Sequence, residues 1–147
     1  MPALREAQPA DAEQIASVLQ LSRRQAMPWL PVLHTPDEDV VFFGSLVAEQ
    51  RAWVVVEEVR VIAFAIAAQG WLNHLYVDPD RQGRGWGTLL LTTTKAAFPD
   101  GVQLWVFEAN AAARRFYAAH DFVEAELTDG SGNEERTPDV RMEWSPR

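Results

Sequence analysis

Glycines alternate at positions 83, 85 and 87 in Gln82-Gly83-Arg84-Gly85-Trp86-Gly87-Thr88, and this stretch constrains the fold more than any other. The run before it, Trp71–Val77, reads as a strand entered through Gly70, and Asp78-Pro79-Asp80 then turns the chain. The run after it reads as an apolar helix from about Gly85 to Phe98, stopped by Pro99-Asp100-Gly101. Alternating glycines in such a strand–turn–helix let the backbone approach a ligand closely with its N–H groups exposed. The helix N-terminus adds unpaired donors and a partial positive charge. Together they suit a phosphate or diphosphate, with Arg81 and Arg84 available for charge-assisted bonds.

Two common phosphate motifs fail on spacing. The dinucleotide fingerprint requires G-x-G-x-x-G, whereas the pattern here is G-x-G-x-G. The P-loop requires a lysine after its last glycine, and the only lysine in the chain is Lys95. Histidines at 34, 74 and 120 show no metal-ligand spacing, so no metal is expected. The absence of cysteine excludes disulfides and thiolate zinc sites. Gly44-Ser45 lacks the pattern of a nucleophile elbow.

The rest of the chain supplies a sheet for this turn. After an opening strand, a helix is expected from Pro9, with Asp11 in its first turn and Ile15, Val18 and Leu19 on one face. Met27–His34 holds two prolines within four residues and reads as an irregular, unusually apolar loop that either lines a pocket or packs on the core. Thr35-Pro36-Asp37-Glu38 is a capping box opening a second helix to about Glu49. Ala52–Glu57 and Val61–Ala68 read as a hairpin, Val102–Phe107 as a strand and Ala111–His120 as a helix. Phe122–Leu127 and Val140–Trp144 read as the last strands, separated by the polar loop Asp129–Pro138. One α/β domain over residues 1–147 is expected, a mixed sheet with helices on its faces.

The net charge of −8 argues against nucleic acid as a general partner, since phosphates need a basic stripe. Residues 121–147 contribute −5 of it, either as a solvated surface or as a field that draws a cationic acceptor. No apolar run is long enough to span a bilayer, and the first residues lack the basic and apolar regions of a leader, so a cytoplasmic protein without membrane contact is expected.

Gln82-Gly83-Arg84-Gly85-Trp86-Gly87 matches every fixed position of [QR]-x-x-G-x-[GA], and in this the sequence resembles the GNAT superfamily of N-acetyltransferases. Leu75-Tyr76-Val77-Asp78-Pro79 and the later Asn110-Ala111-Ala112-Ala113-Arg114-Arg115-Phe116-Tyr117 are similar to that family too. The resemblance implies a mostly antiparallel sheet of about six to seven strands, splayed at a central parallel pair, with helices on both faces. It implies acetyl-CoA as cosubstrate. Its pantetheine would pair with the backbone of Leu75, Tyr76 and Val77, and its diphosphate would sit on Gln82, Gly83, Arg84, Gly85, Trp86, Gly87 and Thr88. Asn110 would contact the cofactor and Tyr117 would protonate the departing thiol. Two departures stand out. Trp86 replaces a smaller aliphatic residue, and Asp121 stands before Phe122 where the family usually has glycine.

Acetyl transfer to an amine needs a neutral nucleophile, an oxyanion donor and a proton for the thiolate. The backbone N–H near Val77 is the family's usual oxyanion donor. His74 is the candidate base, with His34, Glu108, Glu57 and water as alternatives. The resemblance places the acceptor between Met27–Thr35 and Asp129–Pro138, where Trp29, Leu30 and Val32 offer an apolar wall and Glu134 and Glu135 offer charge. His34 and Glu108 complete the candidate acceptor residues. A small-molecule or peptide amine is expected. The family's range of acceptors leaves its identity open, and the sequence leaves a homodimer open too. A non-catalytic acyl-CoA-binding sensor or interaction domain is the alternative, which would keep Gln82–Thr88 without needing Tyr117.

Overall fold

A computed structural model describes residues 1–146. Seven strands form one sheet in the order β1-β2-β3-β4-β5-β7-β6. They are β1 (Ala3–Glu6), β2 (Arg51–Glu57), β3 (Arg60–Ala68), β4 (Trp71–Val77), β5 (Val102–Phe107), β6 (Val123–Thr128) and β7 (Asp139–Trp144). All neighbours are antiparallel except β4 and β5. Helices α1 (Ala12–Ala26) and α2 (Pro36–Glu49) cover one face, and α3 (Trp86–Ala97) and α4 (Ala111–Ala119) the other. The expected mixed sheet with helices on both faces is what the chain forms.

The centre of the sheet explains this layering. Val61 through Ala67 of β3 are all buried, the near-continuous apolar run of a strand covered on both sides. Phe64 and Ile66 face Ile15, Leu19 and Phe43 of α1 and α2, while Ile62 and Ala65 join Leu90, Leu91 and Tyr117 of α3 and α4.

Most boundaries shift by a residue from the sequence reading, and three shifts have a local cause. Pro9–Asp11 forms a 3-10 turn, and α1 starts at Ala12. The turn is pinned because Asp11 accepts the Gln8 N–H at 2.8 Å and two bonds from the Arg5 guanidinium, whose hydrogen bonding holds that carboxyl below its usual pKa. Helix α3 begins at Trp86, with Gly85 as a left-handed N-cap at φ +87°. Strand β6 begins at Val123, since Phe122 belongs to the end of α4.

That helix end shows what the aspartate at position 121 replaces. The Phe122 N–H reaches the Tyr117 carbonyl at 3.1 Å and the Asp121 N–H reaches Ala118 at 3.2 Å, the two bonds of a Schellman motif. Asp121 takes the left-handed slot at φ +72°. The Tyr117 and Phe122 rings, 5.5 Å apart, supply the apolar contact of the motif. Lys95 donates to the His120 carbonyl at 2.6 Å and lies over the Phe122 and Trp144 rings, so the single lysine locks α4 to α3 and β7.

Candidate active site

Beyond Trp71↔Gln103, their single register pair, β4 and β5 part. Two features drive them apart. Register in β4 skips Asn73, a bulge opposite Ile66 and Ala67 that bends the strand. On the other side β5 pairs fully with β7, from Val102↔Trp144 to Phe107↔Asp139, and follows that partner. The result is a cleft of about 710 Å³ walled by β4, β5 and α4 and roofed by the β6–β7 loop.

Leu75, Tyr76 and Val77 pair with Ala65, Phe64 and Ala63 of β3, so their other edge meets the cleft instead of a strand. Two side chains bind the carbonyl that ends β4: Ser22 Oγ donates to Val77 O at 2.9 Å and Gln82 Nε2 at 3.3 Å. Asp78 next to it is buried, accepting from Arg60 and from the Asp80 N–H at 2.9 Å. The turn after β4 is therefore rigidly anchored.

That turn delivers a row of donors. No backbone N–H from Gln82 to Thr88 finds an acceptor among the described residues. A methyl group placed on Gly85 would extend into open space, the space a bound anion needs. Gly87 has a different reason. A Cβ there would lie 3.3 Å from Phe116 Cζ and 3.8 Å from Val77 Cγ2, so glycine lets α3 approach α4 and β4. Trp86 packs against the core on the α3–α4 side, with its indole N–H buried and unpartnered. The Arg84 side chain is exposed and makes no hydrogen bond among the described residues, while Thr88 Oγ1 lies 3.2 Å from His120 Nε2. Arg81 is held away by Glu57 at 2.9 Å, and none of residues 81–88 lines the cleft itself; the donor row lies beyond the end of β4.

Tyr117 lies on the cleft wall, and its hydroxyl makes no hydrogen bond among the described residues. Burial, reinforced by Tyr76, pushes its pKa well above the ordinary phenol value, so it stays protonated at neutral pH. Asn110 caps α4, its Oδ1 accepting the Ala113 N–H at 3.2 Å, while its Nδ2 reaches Met27 Sδ at 3.5 Å. Both line the same cleft, because residues seven apart lie nearly on one face of a helix.

Strand alternation puts His74 and Tyr76 toward α1 and α2, and Leu75 and Val77 toward α3 and α4. His74 sits edge-on to Phe42 and Phe43, with ring centroids at 6.0 and 5.1 Å. Burial first, and Arg23 second, lower its pKa to about 4, so the imidazole is neutral at pH 7.

Arg23 was missed in the sequence, although a signal exists. It lies four residues beyond Leu19 and eight beyond Ile15, a charge placed on the apolar stripe of α1. Its Nε approaches Tyr76 Oη at 3.4 Å and its Nη1 approaches Glu135 at 3.6 Å. Burial opposes its charge, but Tyr76, Glu135 and Asp39 outweigh that and raise its pKa.

The acceptor-side candidates divide. His34 Nε2 contacts the Glu134 carboxylate beside a second pocket of about 320 Å³ against α2. Trp29 packs edge-on against Phe107 at 6.2 Å and stays half exposed. Glu108 is exposed and off the cleft, because its N–H bonds to Pro138 and its carbonyl accepts from Arg114. The Asp129–Pro138 loop is knitted by Asn133, which donates to Thr137 O at 2.7 Å and to Asp139 at 3.1 Å. Among the described residues no group of three or more acidic or histidine side chains is placed to hold a metal, and no helix is long and apolar enough to cross a membrane.

Comparison with curated protein sequences finds no match. Solved structures do match over nearly the whole length. YjaB from Escherichia coli aligns with a TM-score of 0.81 at 20% identity, covering 98% of this chain and 97% of its own. A GCN5-related N-acetyltransferase from Rhodopseudomonas palustris aligns with a TM-score of 0.80 at 24% identity, covering 99% and 96%. The PaiA N-acetyltransferase from Thermoplasma acidophilum, solved in complex with coenzyme A, aligns with a TM-score of 0.78 at 17% identity, covering 99% of both chains. At these identities the likeness establishes the fold. The family profile described as acetyltransferase (GNAT) domain matches residues 48–124, which span β2 to the start of β6 and so take in β4, the donor row, β5 and α4. The chain belongs to the GNAT acetyltransferase family.

Proposed function

We propose that this protein is an N-acetyltransferase that moves the acetyl group of acetyl-CoA directly to an amine. One observation carries the reading: an edge of β4 at Leu75–Val77 that pairs with no second strand runs straight into seven N–H donors at Gln82–Thr88 without acceptors among the described residues. Pantetheine amides suit the first and a diphosphate suits the second. The coenzyme A bound to the Thermoplasma relative supports the same donor. All of 1–147 would serve as one domain, since α1, β4, β5, α4 and the β6–β7 loop all contribute to the cleft. Acetyl-CoA is an intracellular metabolite, which favours the cytoplasm as the place of work.

The groups take the following roles. The donor row, with Asn110 at its far wall, holds the cofactor, and the thioester carbonyl meets the N–H near Val77. The amine attacks, and the thiolate leaves with the proton of Tyr117, a phenol kept protonated and free of competing bonds. His74 is the candidate base on β4. It is unprotonated above about pH 4, yet at that pKa it holds a transferred proton only briefly. Trp29, His34 and Glu134 belong to the acceptor side.

Tyr117→Phe tests the assignment. Thiol release with a panel of primary amines should slow by about ten- to a thousand-fold, the scale of general acid catalysis, with acetyl-CoA affinity unchanged. An unchanged rate would remove Tyr117 from the mechanism. Binding of acetyl-CoA without turnover of any amine would favour the sensor alternative.

A further inference from the structure

Three cavities meet at one ion pair. The main cleft, the 320 Å³ pocket against α2 and an apolar pocket of about 290 Å³ under the Met27–Pro36 loop have only Arg23 and Glu135 in common. Glu135 is poorly satisfied there. Its side chain is only 16% exposed, it accepts no hydrogen bond among the described residues, and Arg23 stands at 3.6 Å, beyond good hydrogen-bond length. A carboxylate so buried normally has closer partners.

The other carboxylates at the junction are engaged. Glu134 pairs with His34, Asp39 accepts from Gln20 at 3.0 Å, and Glu38 caps its own helix through Thr35. Arg23 and Arg24 face the junction from α1, and Tyr76 and the neutral imidazole of His74 face it from β4. Four carboxylates thus stand against two guanidiniums and the one imidazole that contacts Glu134, an excess that attracts one more cation. The adjoining 290 Å³ pocket is walled by Leu19, Met27, Pro28, Leu30 and Val32, which favour an apolar group.

We propose that Glu135 receives the ammonium group of the acceptor while the prolyl-loop pocket takes an apolar substituent, so that the acceptor class is arylalkyl or alkyl primary amines. This rests on the N-acetyltransferase reading and extends it from the donor to the acceptor. Glu135 gathers the amine at the junction, and attack comes from the fraction that has lost its proton to solvent.

Steady-state thiol release with acetyl-CoA and 2-phenylethylamine, glucosamine or glutamate tests this in the wild type, Glu135→Gln and the exposed-site control Glu13→Gln. We expect 2-phenylethylamine to have the highest kcat/KM of the three by at least tenfold. In Glu135→Gln its KM should rise at least tenfold, with the acetyl-CoA KM within twofold. Glu13→Gln should match the wild type. An unchanged 2-phenylethylamine KM in Glu135→Gln overturns the assignment and leaves acetyl transfer standing. So does a parallel loss of acetyl-CoA affinity, which would mark a structural role. Preference for glucosamine or glutamate overturns the acceptor class. Turnover of no amine, despite bound acetyl-CoA, overturns the N-acetyltransferase reading and this inference with it.

Discussion

His74 should make the fold acid-sensitive in a defined window. Packed on Phe42 and Phe43 and facing Arg23, it has its pKa lowered from 6.5 to about 4. Below pH 6.5 the unfolded chain binds a proton at this site that the folded chain refuses until about pH 4. The contribution is therefore complete above pH 6.5 and is lost as pH falls toward 4. The full shift corresponds to about 3 kcal/mol at roughly 1.4 kcal/mol per pH unit. Between pH 7.5 and pH 5, where most carboxylates remain ionised, about 2 kcal/mol should disappear. Urea unfolding at these two pH values measures it, as a midpoint loss of roughly 1 M for a typical slope. His74→Leu removes the titration, and comparing its pH dependence with that of the wild type cancels the other histidines. Equal losses in the two proteins would show that His74 is not held neutral by its surroundings.

Other perturbations probe the donor row and the helix ends. Gly85→Ala forces a left-handed alanine at about 1–2 kcal/mol and puts a methyl group in the anion's space, so acetyl-CoA affinity by calorimetry should fall at least tenfold. Gly87→Val should destabilise by about 1–3 kcal/mol through Phe116, and Phe116→Leu in the same chain should recover part of that in a urea titration. Asp121→Gly should stabilise by about 1 kcal/mol, raising the melting temperature with turnover unchanged, because it relieves the left-handed position that ends α4.

What the sequence revealed follows from the range of each interaction. The Thr35–Glu38 capping box was legible because both of its bonds lie within four residues, and both form. The glycine spacing was legible because φ +87° at Gly85 is a local demand of the turn. Phe122 was read as strand because its apolar side chain suits either role, and only the Schellman bonds to Tyr117 and Ala118 decide between them. The parting of β4 and β5 depends on a bulge at Asn73 and on pairing between strands far apart in the chain, which no local pattern encodes. Glu135 could be noted as a charge in a loop. Its place at the meeting of three cavities depends on Arg23, more than a hundred residues earlier.

The central claim is that the edge of β4 and the Gln82–Thr88 donors form one acetyl-CoA site. Thermal unfolding with acetyl-CoA, CoA and ATP, each at 1 mM (roughly a hundredfold above a Kd of about 10 μM), tests it most directly. A ligand at a hundred times its Kd stabilises by about 2.7 kcal/mol, which in a chain of this size raises the melting temperature by roughly 5–10 °C. The account expects that shift for acetyl-CoA and CoA, a much smaller one for ATP, which lacks pantetheine, and shifts cut to about half or less in Gly85→Ala. No shift with acetyl-CoA, or an equal shift with ATP, would contradict it.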